Sequence, residues 1–495
     1  MERSQARKTE DRDERRNLIF FPIGTVGRDM MVSLVAGFLQ SFVFFAHTLT
    51  GPQVTAILTI MVAARAFDAL NDPLMGCIIE KTRSRFGKFK PWLCVGILLS
   101  SLVVYLAFNT SLQGWPFVIF FGIIYFLYSI AFTMHDIAYW GMIPSLTSDA
   151  DRRNRYTSRT VLFAGIGGVL ASVLIPVLTT GDLAIGGNAL TAYGRVAMII
   201  AVLAPLFLAF TVFGVKEKKA PDRRREEKVS VKAILSTVGR NRQLLWISLA
   251  FLLQQISSGL VVAGFGQTYI YIKFGYNGAY YSLCQALGLS VTGFLMIFYP
   301  KLSRLMPRKK MMSVMMAAAL VGYVVIYLSG FFTGTASFTL LTIGYMLSNF
   351  GQYGFYLIMM ISIMNTVEYN QYLFGVRNES IVASLRPMLT KLSSAVNIGI
   401  VMLTYMAAGI LRYTNGIADL EQAASLGAIS AAARTQEITA LLSGVGPKQS
   451  ASLLAAMSAL PCILMFASYL VYRRKYILDE EEYERIVKEI EKRNA

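Results

Sequence analysis

The chain has 495 residues, of which 55% are hydrophobic and only 15% are charged, and its formal net charge is +18. A soluble protein needs about 25% charged residues to cover its surface, so this composition excludes an ordinary soluble domain. Nucleic-acid-binding proteins are basic but far less apolar. The four Cys and two His show no disulfide or metal-ligand spacing. We therefore predict a polytopic membrane protein with no nucleic-acid partner, no bound cofactor and no zinc site.

Twelve apolar segments are long enough to span a bilayer, which requires about 20 residues of helix. A charged interval divides them into six and six. The predicted spans are residues 18–45, 54–80, 91–109, 115–139, 159–179, 191–214, 244–271, 276–300, 312–331, 335–364, 379–408 and 451–472. The highly charged segment 1–17 has no apolar core, so we expect no removable signal peptide.

Lys and Arg are distributed unevenly over the loops. One side of the predicted membrane has 37 of them and the other side has 4, while the remaining six lie inside or at the ends of spans. Because Lys and Arg accumulate in cytoplasmic loops, both termini are predicted to be cytoplasmic, in a bacterial-type inner membrane.

The two halves resemble each other in the spacing of their spans, and a basic loop follows both the second and the eighth span. Such repeats are typical of secondary transporters, whose substrate site lies at the midplane between the halves. We predict an all-α membrane protein with five parts: a cytoplasmic N-terminus (1–17), a six-helix bundle (18–214), a basic cytoplasmic loop (215–243), a second six-helix bundle (244–472) and a charged cytoplasmic tail (473–495). The segment Tyr413–Ser450 is too polar to span and is predicted to be an excursion on the outer face.

Nine of the ionisable residues inside or at the ends of the predicted spans are candidate site residues. Each such group costs about 2.5–3.5 kcal/mol at mid-membrane. They are Arg28, Asp29, Arg65, Asp68, Asp72, Asp136, Arg159, Arg386 and Lys391. Five cations and four carboxylates indicate that the charges compensate one another inside a polar cavity. Packing alone does not require them, because Leu or Ala would fill the space better.

Asp68 and Asp72 are the sharpest local feature, since with Arg65 they are spaced i, i+3, i+7 and share one helix face. Keeping two neighbouring carboxylates on one face ionised costs free energy unless a cation lies between them. This spacing predicts a cation site to which Asn71 and Thr133 add neutral oxygens. Na⁺ suits such ligands and H⁺ suits them equally, so both ions remain open. Alternatively, one Asp pairs with Arg65 and the other with the basic loop.

Asp29, Asp136, Arg159 and Trp140 indicate a different kind of site. Carboxylate and guanidinium groups bind vicinal hydroxyls in pairs, and a Trp ring stacks against the C–H groups of a sugar. The alternative for Trp140 is an interfacial aromatic residue near the end of its span. His135 faces about 100° away from its neighbour on a helix and is predicted to have a packing role.

The loop after the second span is short and basic and contains one glycine. Its residues Arg83, Arg85, Gly87 and Lys88 suit a tight cytoplasmic turn that docks on helix ends and locks one conformation. Arg65 is assigned to the same gating and structural group. The simpler explanation of this loop is that its basic residues only set the orientation of the spans in the membrane.

Several motifs together carry a family resemblance. The segment Arg65–Gly76 reads Arg-x-Phe-Asp-Ala-Leu-Asn-Asp-Pro-x-Met-Gly, and Thr82–Trp92 reads Thr-Arg-Ser-Arg-Phe-Gly-Lys-Phe-Lys-Pro-Trp. The similarity continues through Thr133–Trp140, Val367–Tyr369 and Arg377–Ile381 to Lys391. With twelve spans in two halves, these motifs resemble the sugar:cation symporters of the glycoside–pentoside–hexuronide family. That family is a branch of the major facilitator superfamily that includes the melibiose permease.

The resemblance implies the major facilitator fold and a role for each matching residue. Asp68 and Asp72 are expected to bind the coupling cation, with Thr133 and Asn71 helping. The expected sugar contacts are Asp29, Arg28, Asp136, Trp140 and Arg159, with Lys391 between the two sites and Tyr356 where the melibiose permease has a Trp over the sugar. Three departures leave the sugar and the ion open: Arg386-Pro387 stands for Gln-Thr, Ser129 for a Gly, and Asn365 for an acid.

The sequence thus predicts a secondary active transporter rather than an enzyme. It couples inward movement of Na⁺ or H⁺ to uptake of a sugar or glycoside by alternating access, and its partners are that sugar, the cation and the lipid bilayer. The alternatives are a transporter of the same fold with lysolipid, drug or uronide cargo, an integral-membrane enzyme, and a non-transporting sugar sensor. The charge cluster argues against lipid cargo, Arg386 leaves acidic sugars open, and two unrelated His offer little to an enzyme.

Overall fold

The computed structural model describes residues 2–147, 150–216, 231–375 and 379–494, and every regular element in these ranges is a helix. Most of the predicted basic central loop and Arg377 of the family motif lie outside the described residues. The α-helices are α1 (Glu2–Ile23), α2 (Thr25–Ser33), α3 (Leu39–Ala46), α4 (Gly51–Lys81), α5 (Lys90–Phe108), α6 (Gly114–Leu146), α7 (Ala150–Thr179), α8 (Ala189–Gly214), α9 (Val231–Arg240), α10 (Arg242–Leu260), α11 (Gln267–Phe274), α12 (Gly278–Leu305), α13 (Arg308–Ser329), α14 (Gly334–Phe374), α15 (Glu379–Ala407), α16 (Leu411–Ser425), α17 (Ala431–Ser443), α18 (Pro447–Lys475) and α19 (Glu480–Asn494).

Long helical runs coincide with all twelve predicted spans. The first and the seventh run each contain a π-helical segment, at Leu34–Phe38 and Val261–Gly266, so the two halves share an interruption in the same place. Within the described ranges, ten helices are long and apolar enough to cross a membrane, and α4 and α14 are not among them. The charges that make α4 a candidate site also lower its hydropathy.

The helices form two compact units. The N-terminal unit comprises Met1–Glu227, Asn277–Ser282 and Thr414–Leu441, and the C-terminal unit comprises Lys228–Tyr276, Leu283–Tyr413 and Leu442–Ala495. The polar excursion predicted between the last two spans consists of α16 and α17. Most of this helical pair belongs to the N-terminal unit, although α15 and α18 on either side of it belong to the C-terminal unit.

Local sequence signals begin several of these helices. Thr50 and Gln53 form a capping box at α4, where the Thr50 backbone N–H donates to Gln53 Oε1 at 2.8 Å. The side chain of Asn188 accepts from the Thr191 N–H at 2.8 Å and caps α8. Such side-chain caps satisfy N–H groups that have no partner within the helix, and they define where each span starts.

In the N-terminal unit, small residues let α2 pack closely against α7 and α8. A Cβ on Gly27 would lie 2.6 Å from Ala204 Cα, and a Cβ on Gly167 would lie 2.2 Å from the Val26 carbonyl oxygen. Both obstacles are backbone atoms, which cannot move aside as a flexible side chain can. Close backbone approach of this kind is how apolar helices associate in a bilayer.

In the C-terminal unit, the tail forms a helix that docks on neighbouring helix ends. Arg308 Nε donates to Glu480 Oε1 at 3.1 Å, and Lys309 Nζ donates to Asp479 Oδ2 at 2.8 Å. The hydrogen bonds from Lys309 and from the Glu482 N–H hold the pKa of the half-buried Asp479 carboxyl below its usual range. The predicted tail is therefore an ordered helix that packs on the unit.

Replacing Gly167 with alanine should weaken the packing of α2 on α7. The added methyl group meets backbone, so we expect the free energy of unfolding to fall by about 1–3 kcal/mol. Thermal unfolding of purified protein in detergent measures this change. Gly165→Ala is the matched control, because Gly165 is exposed on the same helix and its Cβ meets nothing within 4 Å. Equal melting temperatures for the two variants would contradict the close approach.

His47 follows α3 and is fully buried at the end of the N-terminal unit. Its ring stacks on Phe117 with 3.6 Å between centroids, and Nδ1 donates to the Leu112 carbonyl at 3.1 Å. Burial disfavours the charged imidazolium and lowers the pKa of His47 to about 4. This ring fixes the position of the short connection to α4.

The buried His47 should make stability depend on pH. Because its pKa is depressed in the fold, the unfolded chain binds the proton more readily, so stability is lost as pH falls from about 6.5 to about 4. The full loss is about 3 kcal/mol. Over this pH range, curves of melting temperature against pH should fall more steeply for the natural protein than for His47→Gln, which retains His135. Parallel curves would show that His47 is not the group responsible.

Candidate functional site

Arg28 lies at the centre of a buried charge cluster in the N-terminal unit. Its Nη1 donates to Asp29 Oδ2 on the same helix at 3.2 Å, and its Nη2 donates to Asp136 Oδ1 on α6. The Arg28 side chain is 8% exposed, whereas those of Asp29 and Asp136 are 20% and 35% exposed. The cation is thus enclosed, while the two carboxylates still present oxygen atoms to open space.

Three aromatic rings of α6 surround the same guanidinium group. Arg28 Cζ lies 5.6 Å from the ring centroid of Phe132, 5.8 Å from that of Tyr139 and 5.7 Å from that of Trp140. Cation–π attraction is strongest where water is excluded, as it is around this side chain. The rings therefore hold Arg28 in place and form an apolar wall beside the two carboxylates.

Asp68 and Asp72 are both hydrogen-bonded to hydroxyl groups of α6. Ser129 Oγ donates to Asp68 Oδ1, and Thr133 Oγ1 donates to Asp72 Oδ1 at 3.0 Å. The two pairs have the same sequence separation, because α4 and α6 run in the same direction and each contributes residues one helical turn apart. We call these four side chains the aspartate–hydroxyl ladder.

Arg65 and Asn71 complete the surroundings of the ladder. Arg65 Nη1 lies 3.3 Å from Asp68 Oδ2, so one part of the alternative pairing predicted from the sequence is present. Asp72 accepts a hydrogen bond from Thr133, and its pairing with the basic loop stays a prediction. Asn71 is buried on the same helix, and its Nδ2 has no hydrogen-bond partner among the described residues.

Carboxylates outnumber guanidinium groups among the described side chains of the two clusters. The two clusters contain the four carboxylates Asp29, Asp68, Asp72 and Asp136 but only the two guanidinium groups of Arg28 and Arg65. If all are ionised, these six side chains carry a net charge of −2. A negative excess in a largely buried region attracts a cation.

Other predicted site residues lie apart from these clusters. Arg159 is exposed, and its Nη1 donates to the Leu18 carbonyl at 3.3 Å, so no described contact joins it to the Arg28 cluster. Tyr356 and Lys391 belong to the C-terminal unit. There, Arg386 Cζ lies 6.0 Å from the Tyr356 ring centroid, and Lys391 is half-buried.

The basic loop after α4 is a tight turn. Gly87 has φ +100°, a conformation that favours glycine, and Lys88 Nζ donates to Glu80 Oε1 at 2.8 Å. Arg85 lies over the ring of Phe86, with 4.6 Å from Cζ to the centroid, and Arg83 is exposed. The predicted turn is present, while its role in gating stays a prediction.

Three contributions of α6 lie outside the predicted site residues. Ser129, a departure from the family pattern, bonds Asp68 through its hydroxyl. Phe132 and Tyr139 are not among the predicted site residues, although their spacing from Asp136 places them near it on one helix face. That spacing was the available signal, but aromatic residues at helical spacing usually belong to the core.

Replacing Arg28 with methionine should leave Asp29 and Asp136 close together without their cation. We expect the free energy of unfolding to fall by about 3 kcal/mol, because breaking a buried pair leaves an uncompensated charge. Adding Asp136→Asn should restore part of this loss, which a double-mutant cycle in detergent measures. The exposed Arg159→Met serves as the control. Loss of stability from Arg159→Met as large as from Arg28→Met would contradict the cluster.

Comparison with known proteins identifies the family of this chain. The profile of the family described as MFS/sugar transport protein matches residues 20–480. The chain is 30% identical over 418 residues to a lactose permease of Leuconostoc lactis, covering 79% of this chain and 63% of that protein. It is 24% identical to a raffinose carrier protein of Pediococcus pentosaceus, covering 96% and 71% of the two chains. The chain thus spans less than two thirds of the length of the Leuconostoc relative.

Solved structures agree on the fold. A bacterial homologue of the human lysosomal transporter Spinster superposes with a TM-score of 0.62 at 11% identity, over 94% of this chain and 97% of that one. The nucleoside transporter NupG superposes with a TM-score of 0.57 at 12% identity, over 93% and 99%. Identities this low support the fold alone. On the match of its family profile, the chain belongs to the MFS/sugar transport protein family.

Proposed function

We propose that this protein is a sugar or glycoside:cation symporter that works by alternating access. The observation that carries the proposal is the aspartate–hydroxyl ladder, which stands beside a second carboxylate cluster with an aromatic wall. Membership of a sugar transport family supports the sugar as cargo. The names of the relatives add to it: lactose permease, raffinose carrier and isoprimeverose transporter, the last from Lactiplantibacillus pentosus at 24% identity.

The coupling cation, Na⁺ or H⁺, binds at the ladder. Asp68 and Asp72 supply charged oxygens, and Ser129 and Thr133 supply hydroxyl oxygens that turn from the carboxylates to the ion. Such hard oxygen ligands suit Na⁺, and either carboxylate alone suits H⁺. Arg65 offsets the charge of Asp68, and a monovalent cation bound at the ladder adds a second positive charge.

The sugar binds at the Arg28 cluster. The exposed oxygens of Asp29 and Asp136 accept hydrogen bonds from sugar hydroxyls, while buried Arg28 holds both carboxylates at a fixed spacing. The half-exposed Trp140 ring stacks on the apolar face of the sugar. Tyr356 and Lys391 of the C-terminal unit contribute further contacts in this proposal.

Helix α6 couples the two sites, because it contributes to both. Ser129, Thr133 and Asp136 are spaced i, i+4, i+7 and share one face. A cation at the ladder orders this face and positions Asp136 for the sugar. Each ligand then raises the affinity for the other, and the effect is reciprocal.

The distribution of basic residues supports an inner-membrane location with both termini in the cytoplasm. In this proposal the protein is a carrier and not an enzyme, and the lipid bilayer surrounds it. The hairpin of α16 and α17 lies on the outer face in this orientation.

Uptake of radiolabelled sugars into vesicles tests the proposed function. A panel of galactosides, xylosides and uronides is offered with an imposed Na⁺ gradient, a pH gradient or neither. We expect one gradient to drive accumulation of one sugar class, and Asp68→Asn and Asp72→Asn each to reduce it at least tenfold. Glu484→Gln is the matched control, because this carboxylate is exposed on the tail helix.

The outcomes separate the alternatives. Accumulation that both aspartate variants abolish and the control preserves identifies the ion and the sugar class together. Accumulation that survives both variants would exclude the ladder as the cation site. No accumulation under any gradient, with the protein present in the membrane, would contradict sugar symport altogether.

A further inference from the structure

The hairpin of α16 and α17 carries a buried ion pair. Glu421 on α16 and Arg434 on α17 are both 0% exposed, and Arg434 Nη1 lies 3.4 Å from Glu421 Oε2. Burying two opposite charges is costly unless further hydrogen bonds satisfy them. The surroundings of this pair therefore show what the hairpin is built against.

Backbone groups of the connection between α7 and α8, and of the start of α8, are further partners of the ion pair. Arg434 donates to the Gly181 carbonyl through Nη2 at 2.8 Å and to the Gly187 carbonyl through Nη1. Glu421 Oε2 accepts from the Ala189 N–H at 2.5 Å, at the N-terminus of α8 where a carboxylate is favoured. The ion pair is hydrogen-bonded to a segment that lies more than 230 residues earlier in the chain.

A second set of contacts joins the hairpin to the connection between α3 and α4. Thr48 Oγ1 donates to Asp419 Oδ1 at 2.5 Å. The Asn415 side chain accepts from the Leu49 N–H at 3.0 Å and donates to the Leu49 carbonyl at 2.8 Å. Since His47 is buried directly before these residues, the docking loop is itself held in place. The hairpin is thus attached to the N-terminal unit at two separate loops.

Glycines flank the hairpin on both sides, in segments that belong to the C-terminal unit. Gly409 precedes α16 with φ +67°, and Gly444 and Gly446 lie between α17 and α18. Tyr413 Oη donates to the Gly444 carbonyl at 2.7 Å and closes the base of the hairpin. Short glycine-bearing connections absorb changes in φ and ψ with little cost, as hinges do.

We propose that the hairpin is a docked part of the N-terminal unit and that the glycine segments on both sides are hinges. The Glu421–Arg434 pair fixes it to the 181–189 loop, and Asn415 and Asp419 fix it to the 48–49 loop. Undocking would remove the partners of a buried ion pair, so the hairpin moves with the N-terminal unit. When the C-terminal unit moves relative to the hairpin, the backbone angles change at Gly409 and at residues 444–446. The docking is independent of the proposed function, whereas the use of the hinges in transport rests on it.

Cysteine labelling tests the docking. Thr435 donates to Asp182 Oδ1 at 2.9 Å at the docked face, so Thr435→Cys reports on contact with the loop. In a background with the four native cysteines replaced by serine, Glu421→Gln should raise the maleimide labelling rate at this position at least tenfold. Glu437→Gln, an exposed carboxylate on the same hairpin, should leave it unchanged. Equal labelling rates in the two variants would overturn the docking.

Spin-label distances test the hinges without any substrate. Gln436→Cys on the hairpin is paired with Ser111→Cys in the N-terminal unit, and separately with Thr335→Cys in the C-terminal unit; all three positions are exposed. In lipid nanodiscs, the first pair should give one narrow distance distribution and the second a broader or multiple one. A first distribution as broad as the second, or two narrow ones, would overturn the hinges. Because no sugar is added, this result is separate from the outcome of the uptake assay.

Discussion

A buried arginine shared by two carboxylates is the interaction on which the candidate site depends. Without Arg28, the carboxylates of Asp29 and Asp136 would repel each other beside the apolar rings of α6. With it, they are held on adjacent helices at a defined spacing and still expose oxygen atoms. Burying these charges in a membrane costs free energy, and the resulting ion pairs hold polar groups in position for a ligand.

Helix packing makes this cluster possible. Arg28 reaches α6 because α2 lies close against α7 and α8, and that approach requires Gly27 and Gly167. Helix α6 then serves two neighbours, since it gives hydroxyl groups to α4 and a carboxylate and three rings to α2. A single helix that lines both sites provides a short physical route between cation and sugar in the proposed mechanism.

The same electrostatic rule operates in the hairpin. Glu421 and Arg434 are as fully buried as any ion pair in the described chain, and they bond backbone carbonyl and N–H groups between Gly181 and Ala189. There the buried charge attaches one segment to a unit far away in sequence. In both places a buried ion pair specifies position, which apolar packing alone defines less sharply.

The sequence alone determined the membrane class, the twelve helical runs, the carboxylates of the charge clusters and the family, because hydropathy, charge placement and local motifs act over short stretches of chain. Asp68 and Asp72 could be selected from their i, i+4 spacing. Their pairing with Ser129 and Thr133 depends on which face of α6 meets α4, and only the tertiary structure decided that. From the sequence, Arg434 is one basic residue in a polar excursion. No pattern near it predicts Glu421 as its partner or the 181–189 loop as its surroundings. Contacts across hundreds of residues follow from helix packing, and a local pattern does not contain them.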